Sequence, residues 1–322
     1  MRRQIFTAVL AGLFALPVGT ASAQENTAPV RLLVGFAAGG ALDSVARALA
    51  EELRSALNQA VIVENKPGAT QRVALGDIKR SKPDGLTLIL SNNSPFTVFP
   101  HIYKNLEFDP VADFTPIGRV ATYDLGISAG PKVPSGAGIT EFLEWARSNP
   151  QEAAYGTSGA GMPAHFIGDM FAKQTGVPLV HVPYNGGAPA LTGLAGGQIP
   201  ILIDTILEQM EMAKSGRIRM LAIVGSKRLE ILPDVPTLRE LGIDIAPESY
   251  VGIYGPAKMP EATVNRISQA LNKAMQSPDL QKRITQFAMV PGYSSPAELA
   301  HFQAEGLQQW AEPIKSTGFT VD

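Results

Sequence analysis

Three glycine-containing segments carry residue types that could do chemistry: Gly35-Phe36-Ala37-Ala38-Gly39-Gly40-Ala41-Leu42-Asp43, Tyr155-Gly156-Thr157-Ser158-Gly159-Ala160-Gly161-Met162-Pro163 and Pro183-Tyr184-Asn185-Gly186-Gly187. Each follows a short apolar run and leads into helical spacing. Glycine lets backbone N–H groups turn outward, and the helix N-terminus adds partial positive charge, so an anion can be held without lysine or arginine. Thr157 and Ser158 add hydroxyl donors at such an N-terminus. One loop of this kind could equally be a turn kept for close strand–helix approach. Three of them, at the carboxyl ends of strands expected to be parallel, point to an anion clamped in an interdomain cleft. The first loop is not Gly-x-Gly-x-x-Gly and no Gly-Lys-Ser/Thr follows it, which sets aside dinucleotide and P-loop readings.

Catalytic readings have less behind them. Ser158 is the best nucleophile candidate, but a nucleophile elbow needs Gly-x-Ser-x-Gly, and the second residue after Ser158 is Ala160. The histidines His101, His165, His181 and His301 show no His-x-x-x-His or His-Glu-x-x-His spacing, so no metal site is expected. His165 and His181 read as hydrogen-bonded structural residues more readily than as catalytic bases. Asp43 and Asp204 could pair as acid and base, but nothing in the sequence brings them together. The chain reads as a binding protein with no cofactor, not an enzyme.

The loops need a scaffold, and the spacing supplies one. Arg31 to Phe36 is a strand; Leu42, Val45, Leu49, Leu53 and Ala56 recur at helical spacing; Val61 to Val63 and Leu86 to Leu90 are further strands, with a helix ending near Arg80 between them. Strand–helix alternation implies a parallel sheet with helices on its faces. The third strand ends in Ser91-Asn92-Asn93-Ser94. A second alternating series starts near Leu125 and runs to Val224, and after a strand at Tyr250 to Tyr254 come helices at 262–275, 280–288 and 296–314. The expected fold is α/β with two lobes and no linker between them: residues 24–124 plus 251–322 form one lobe and 125–250 the other. Crossovers lie near 122–127 and 249–254.

Composition excludes whole classes. Hydrophobic residues are 45% and charged residues 17% of 322, with 27 Lys+Arg against 29 Asp+Glu, an ordinary globular mixture. The formal charge of −2 and the lack of a basic run argue against nucleic acid as a partner. With no cysteine there is no disulfide, thiolate metal site or cysteine nucleophile. Met1-Arg2-Arg3, the apolar run Ile5 to Leu16 and the small residues Thr20-Ala21-Ser22-Ala23 have the layout of a signal peptide over residues 1–23. That run is shorter than the roughly 20 residues a membrane-spanning helix needs. Arg2-Arg3-Gln4-Ile5-Phe6 fits twin-arginine or general secretory export alike. An exported, periplasmic protein is expected, and a monomer.

Several motifs, in order, resemble the Bug family, the extracytoplasmic solute receptors of tripartite tricarboxylate transporters. They are Gly39-Gly40-x-x-Asp43, Glu64-Asn65-Lys66-Pro67-Gly68-Ala69, Pro83-Asp84-Gly85, Phe108-Asp109-Pro110 with Asp113-Phe114-Thr115-Pro116-Ile117, His181-Val182-Pro183-Tyr184, and Leu232-Pro233-Asp234-Val235-Pro236-Thr237 after Lys227-Arg228. The resemblance runs from about Val30 to the C-terminus. It implies a periplasmic-binding-protein fold closing on one small mono- or dicarboxylate, and membrane permease subunits as partners. It implicates Phe36, Gly40, Ala41, Leu42 and Asp43 in the first loop, Ser91 and Asn92 after the third strand, and Thr157, Ser158, Gly161, His165, Tyr184, Asn185 and Asp204 in the second lobe. Thr70-Gln71-Arg72-Val73-Ala74 departs from the family's Gly-Gly-Asn-Ile-Gly, and Arg72 reads as an exposed helix residue more readily than as a carboxylate partner. Leu42 stands where a Thr is usual and Gly193 where an Asp is usual, hinting at a ligand with an aromatic or alkyl body. Two other functions stay open: a receptor of the same fold feeding a signalling sensor, and an exported serine hydrolase using Ser158.

Overall fold

The computed structural model describes residues 28–322, so the signal peptide expected at 1–23 lies outside the described residues. The chain runs β1 (Val30–Val34), α1 (Ala41–Leu57), β2 (Val61–Asn65), α2 (Arg72–Arg80), β3 (Thr87–Asn92), α3 (Ser94–Thr97), α4 (Phe99–Ile102), β4 (Phe114–Tyr123), β5 (Leu125–Ala129) and α5 (Ile139–Ser148). It continues β6 (Ala154–Thr157), α6 (Pro163–Thr175), β7 (Val180–Pro183), α7 (Gly187–Ala195), β8 (Ile201–Thr205), α8 (Ile206–Lys214), β9 (Arg219–Val224) and a short 3₁₀ turn at Arg239–Leu241. The last elements are β10 (Ser249–Pro256), α9 (Glu261–Ala274), α10 (Pro278–Thr285), β11 (Met289–Pro291) and α11 (Pro296–Thr317). Among the described residues no helix is long and apolar enough to cross a membrane.

Two sheets result, one per lobe. The first has the order β11-β4-β10-β3-β1-β2 and the second β7-β6-β8-β5-β9. Both are mixed, where the alternation predicted parallel sheets. β1, β2 and β3 are parallel, as are β6, β7 and β8, but β10 runs antiparallel to β3 and β4, and β5 antiparallel to β8 and β9. The reversal comes from the connections: β4 leads the chain through Asp124 directly into β5, and β10 brings it back beside β4, with Ser249 opposite Tyr123. β4 itself is a strand that local spacing does not announce, because Pro116 and Gly118 look like punctuation. β11 covers only Ala121 to Tyr123 of it, so at Pro116 β4 has β10 alone as a neighbour, and a missing N–H is tolerated there. The helix expected to reach Ala288 stops at Thr285, and Met289–Pro291 turns into β11.

Side chains alternate across the first sheet with period two. Val30, Leu32, Val34, Leu88 and Leu90 meet α1 and α9 on one face, while Leu33 and Ile89 join Phe96 and Phe114 on the other. That second cluster does not stop at the lobe. Through Trp310 and Ile314 of α11 it continues to Phe166 of α6 and Tyr155 of β6, so one apolar core joins the two lobes. The helix carrying Trp310 opens with a capping box: the Ser295 hydroxyl accepts from Glu298 N–H at 3.3 Å and Glu298 Oε2 accepts from Ser295 N–H at 2.7 Å. Ser295→Ala removes half of that exchange and is expected to lower stability by about 1 kcal/mol, read by denaturant unfolding. An unchanged midpoint would show that the cap is dispensable.

Candidate functional site

A cavity of about 100 Å³ lies between the lobes, at the strand ends from which the loops emerge. Its lining comes from both sheets: Asn92 and Ser94 after β3, Tyr123 and Ser249 on the paired crossing strands with Leu125 beyond, then Ser158, Met162 to Ala164, Asp204 and Thr205. None of these is Lys, Arg or His. Burial pushes the Tyr123 hydroxyl up to about 12 against the opposing effect of Ser249, so it is a neutral donor at any physiological pH. On the opposite wall the Ser158 hydroxyl donates to Asp204 Oδ1 at 3.2 Å, and Thr205 N–H donates to the same oxygen at 2.8 Å. Asp204 Oδ2 is buried with no hydrogen-bond partner among the described residues. Burial lifts the Asp204 carboxyl to about 6, despite the Thr205 and Ser158 donors.

Of the residues implicated by sequence, the structure brings Asn92, Ser158 and Asp204 together around this space. The first loop sits at the same edge of the sheet, since β1 and β3 are parallel neighbours with Val34 opposite Leu90, but Phe36, Gly40, Ala41 and Leu42 do not line the cavity. Asp43 braces that loop from inside. Its carboxylate accepts from Gly39 N–H at 2.9 Å, Arg47 Nε at 3.1 Å and Asn65 Nδ2 at 2.9 Å, and Asn65 Nδ2 also reaches Phe36 O. Burial alone would raise this carboxyl; Arg47, Gly39 and Asn65 together hold it below the usual range. Ser91 is fully buried beneath the cavity wall. Tyr184 lies over Gly193, where an added Cβ would come within 2.3 Å of the phenol oxygen, and donates to Gln198 Oε1 at 3.3 Å; Asn185 beside it is exposed. Gly193 is therefore a packing requirement of Tyr184. Arg72 is half-buried and stacks over the Tyr103 ring at 4.4 Å, so it is not the exposed residue expected.

Residues 45–319 match the family described as the tripartite tricarboxylate transporter family receptor (TctC). The chain belongs to that family. A curated relative from Cupriavidus necator, the UPF0065 protein in the gbd 5' region, is 32% identical over 95% of this receptor and 93% of its own length. Among solved structures, the periplasmic binding protein BugD matches with a TM-score of 0.75 and 32% identity over 91% of this chain and 98% of its own. Rpa4515 of R. palustris, solved with adipate, has a TM-score of 0.80 at 26% identity, covering 92% and 99%. MatC of Rhodopseudomonas palustris, with bound malate, has a TM-score of 0.75 at 26% identity, covering 90% and 99%. The two-lobed α/β fold of periplasmic binding proteins and the Bug kinship expected from the motifs are thus shown.

In this receptor Thr157, Gly161 and His165 do not line the cavity: Gly161 and His165 are bonded to each other, and Thr157 pairs with His181 and Gly159. The Gly161 N–H donates to His165 Nδ1 at 3.2 Å, which leaves the His165 proton on Nε2, facing Asp169 at 3.4 Å. The His165 ring stacks on His181 with centroids 4.0 Å apart, and His181 Nε2 meets Thr157 Oγ1 at 2.8 Å. The Thr157 hydroxyl donates to Gly159 O, so His181 supplies the N–H in that pair. Gly161, at φ +76°, faces Phe319, and a Cβ there would come within 2.8 Å of the ring. These groups stiffen the loop that presents Ser158. Burial, then the neighbouring His165, lower His181 to about 4, and burial lowers His165 against the pull of Asp169.

Because the unfolded chain takes up the His181 proton near its ordinary 6.5, this contribution to stability is present above that pH and is lost as pH falls toward 4. By NMR the His181 ring should titrate near 4, and His181→Gln should remove the corresponding loss of stability. An ordinary midpoint for that ring would contradict the buried stack.

Sequence reasoning missed Ser94, Tyr123, Thr205 and Ser249 in the lining, and Gln71 behind it. The first four sit at strand ends and crossings whose pairing is set at long range. Gln71 carries a signal, the departure from the family's Gly-Gly-Asn-Ile-Gly, but the charge of Arg72 in the same segment is the more conspicuous feature. Gln71 is fully buried at φ +72°, following Ala69 at +44° and Thr70 at +52°.

Proposed function

We propose that this receptor captures a small mono- or dicarboxylate between its lobes in the periplasm and hands it to the membrane permease subunits of a tripartite transporter. The observation that carries the reading is the interlobe cavity, lined from both sheets by amide and hydroxyl groups together with the Asp204 carboxyl, and free of lysine, arginine and histidine. Desolvating a carboxylate there must be offset by charge-assisted bonds from neutral donors, and Asn92, Tyr123, Ser249 and the Ala164 N–H at the start of α6 are such donors, while the Ser158 hydroxyl is given to Asp204. The family supports the transport role, and structures of relatives with adipate and malate support the ligand class. Closure of the lobes would be limited by the ligand's differential affinity for the closed state. The hydrolase reading lacks an imidazole on its nucleophile: the Ser158 hydroxyl goes to Asp204, while His165 and His181 are engaged with Gly161 and Thr157.

A thermal-shift panel that includes malate, adipate and aromatic acids tests the ligand class. An acid at 100 times its dissociation constant adds about 2.7 kcal/mol of stability. If amines or neutral sugars shift the melting point and no acid does, the carboxylate assignment is wrong.

A further inference from the structure

We propose that Gln71 is a positioning residue that, together with the Ser94 backbone N–H, fixes the hydrogen-bond polarity of the first lobe's wall, holding the Asn92 carboxamide with its N–H₂ toward the cavity so that the wall favours a group that accepts hydrogen bonds, such as a carboxylate. The inference rests on the carboxylate-receptor reading and names the residue that enforces it.

Three observations converge on Gln71. The first is conformational. Ala69, Thr70 and Gln71 are consecutive non-glycine residues in the left-handed region, each disfavoured relative to the right-handed backbone. Such strain persists where the surrounding structure over-determines it. The second is packing. Gln71 is fully buried against Gly35, the residue that opens the first glycine loop, and a Cβ on Gly35 would lie 2.6 Å from the Gln71 Cβ. Only glycine at 35 admits the backbone and Cβ of residue 71 in this position.

The third observation is the bonding. The Ser91 hydroxyl, 2.9 Å from Asn92 O and 3.0 Å from Gln71 Oε1, shares its one proton between those two acceptors, and Gln71 Nε2 donates to Asn92 Oδ1 at 3.0 Å. Asn92 Oδ1 also accepts from the Ser94 backbone N–H at 3.2 Å. A backbone N–H can only donate, so the Asn92 atom it meets must be the oxygen. With Oδ1 committed to two donors on the protein side, Nδ2 is the end of Asn92 left to the cavity that Asn92 lines. A group that accepts hydrogen bonds is favoured against it, and a group that only donates is not. Gln71 lies behind this wall and does not line the cavity, so it acts through Asn92 and Gly35.

The test measures dissociation constants and unliganded melting points for wild type, Gln71→Met, Gln71→Glu, Gln71→Gly, Asn92→Ala and the double variant Gln71→Met/Asn92→Ala. The probes are malate, adipate and the acid giving the largest shift in the panel above. Gln71→Met removes both side-chain bonds at constant size and is expected to weaken carboxylate binding about tenfold. In the Asn92→Ala background the same change should cost less than about twofold, because the residue through which Gln71 acts is gone. In Gln71→Glu the introduced carboxyl, when protonated, can donate to Asn92 Oδ1 as the amide does; when ionised it has no proton to give and sets a negative charge against that oxygen and behind the wall that meets the anion. Gln71→Glu should therefore approach wild-type affinity in acid and fall behind wild type at the same pH as the solution is made alkaline. Gln71→Gly suits the backbone at φ +72° and keeps the test open should the methionine variant fold poorly; its affinity should fall as that of Gln71→Met does. Equal affinities in wild type, Gln71→Met and Gln71→Gly would overturn the assignment while leaving the carboxylate receptor intact. So would an undiminished loss in the Asn92→Ala background. Failure of wild type to bind any acid would overturn both.

Discussion

Asn92→Asp should weaken carboxylate binding by about 100-fold or more, at a smaller cost to the stability of the unliganded fold. The two halves of this expectation come from the two ends of one side chain. The oxygen that accepts from Gln71 Nε2 and Ser94 N–H is retained in aspartate, so the internal bonds of the wall survive. The other end changes from an N–H donor to a carboxylate oxygen in a cavity that already holds the Asp204 carboxyl and has no lysine, arginine or histidine to neutralise either. A hydrogen bond to a charged group is worth about 1.5–3 kcal/mol, and like-charge repulsion is added to its loss. Titration calorimetry against the best acid of the panel gives the affinity, and differential scanning calorimetry gives the stability. Unchanged affinity would remove Asn92 from the binding wall. A collapse of stability would mean that its role is architectural.

The second large effect belongs to Asp204 and has a sign that depends on pH. Its carboxyl is raised to about 6, mainly by burial and further by Glu208, against donors from Thr205 and Ser158. An acid whose folded value lies above its unfolded value binds more protons folded than unfolded, so stability declines as pH rises from about 4 to about 6 and stays low above that. Asp204→Asn does not titrate. The stability difference between this variant and wild type should move in the variant's favour by about 2–3 kcal/mol between pH 4 and pH 8. Comparing differences at two pH values cancels the cost of burying the new amide and the titration of His181, which both proteins share. Urea unfolding at the two pH values checks it. A difference that stays constant would show that Asp204 titrates as an ordinary surface carboxylate.

Much of the fold was legible in the sequence. The runs Val30–Val34, Val61–Asn65 and Thr87–Asn92, with the helical spacing of Leu42 to Leu53 between the first two, satisfied local periodicity and burial at once. β4 was not legible, because a strand containing Pro116 and Gly118 becomes favourable only when β10, more than a hundred residues away, lies beside it. The mixed sheets were hidden for the same reason: strand direction follows from where the chain crosses between lobes.

The candidate site divides along the same line. The residue types alone announced loops able to bind an anion through amides and hydroxyls, and the absence of cysteine excluded thiolate chemistry. Which donors remain available was decided by tertiary structure, since each polar group can satisfy only a few partners. The Gly161 N–H is committed to His165, the Thr157 hydroxyl to Gly159 and His181, and Asp43 to its own loop and Asn65. Asn92, Ser158 and Asp204 reach the interlobe cavity because β3, β6 and β8 end at it, and Tyr123 and Ser249 complete it because β4 and β10 pair where the chain crosses. Composition and spacing set what the loops could offer; the pairing of distant strands set which of those groups face the space between the lobes.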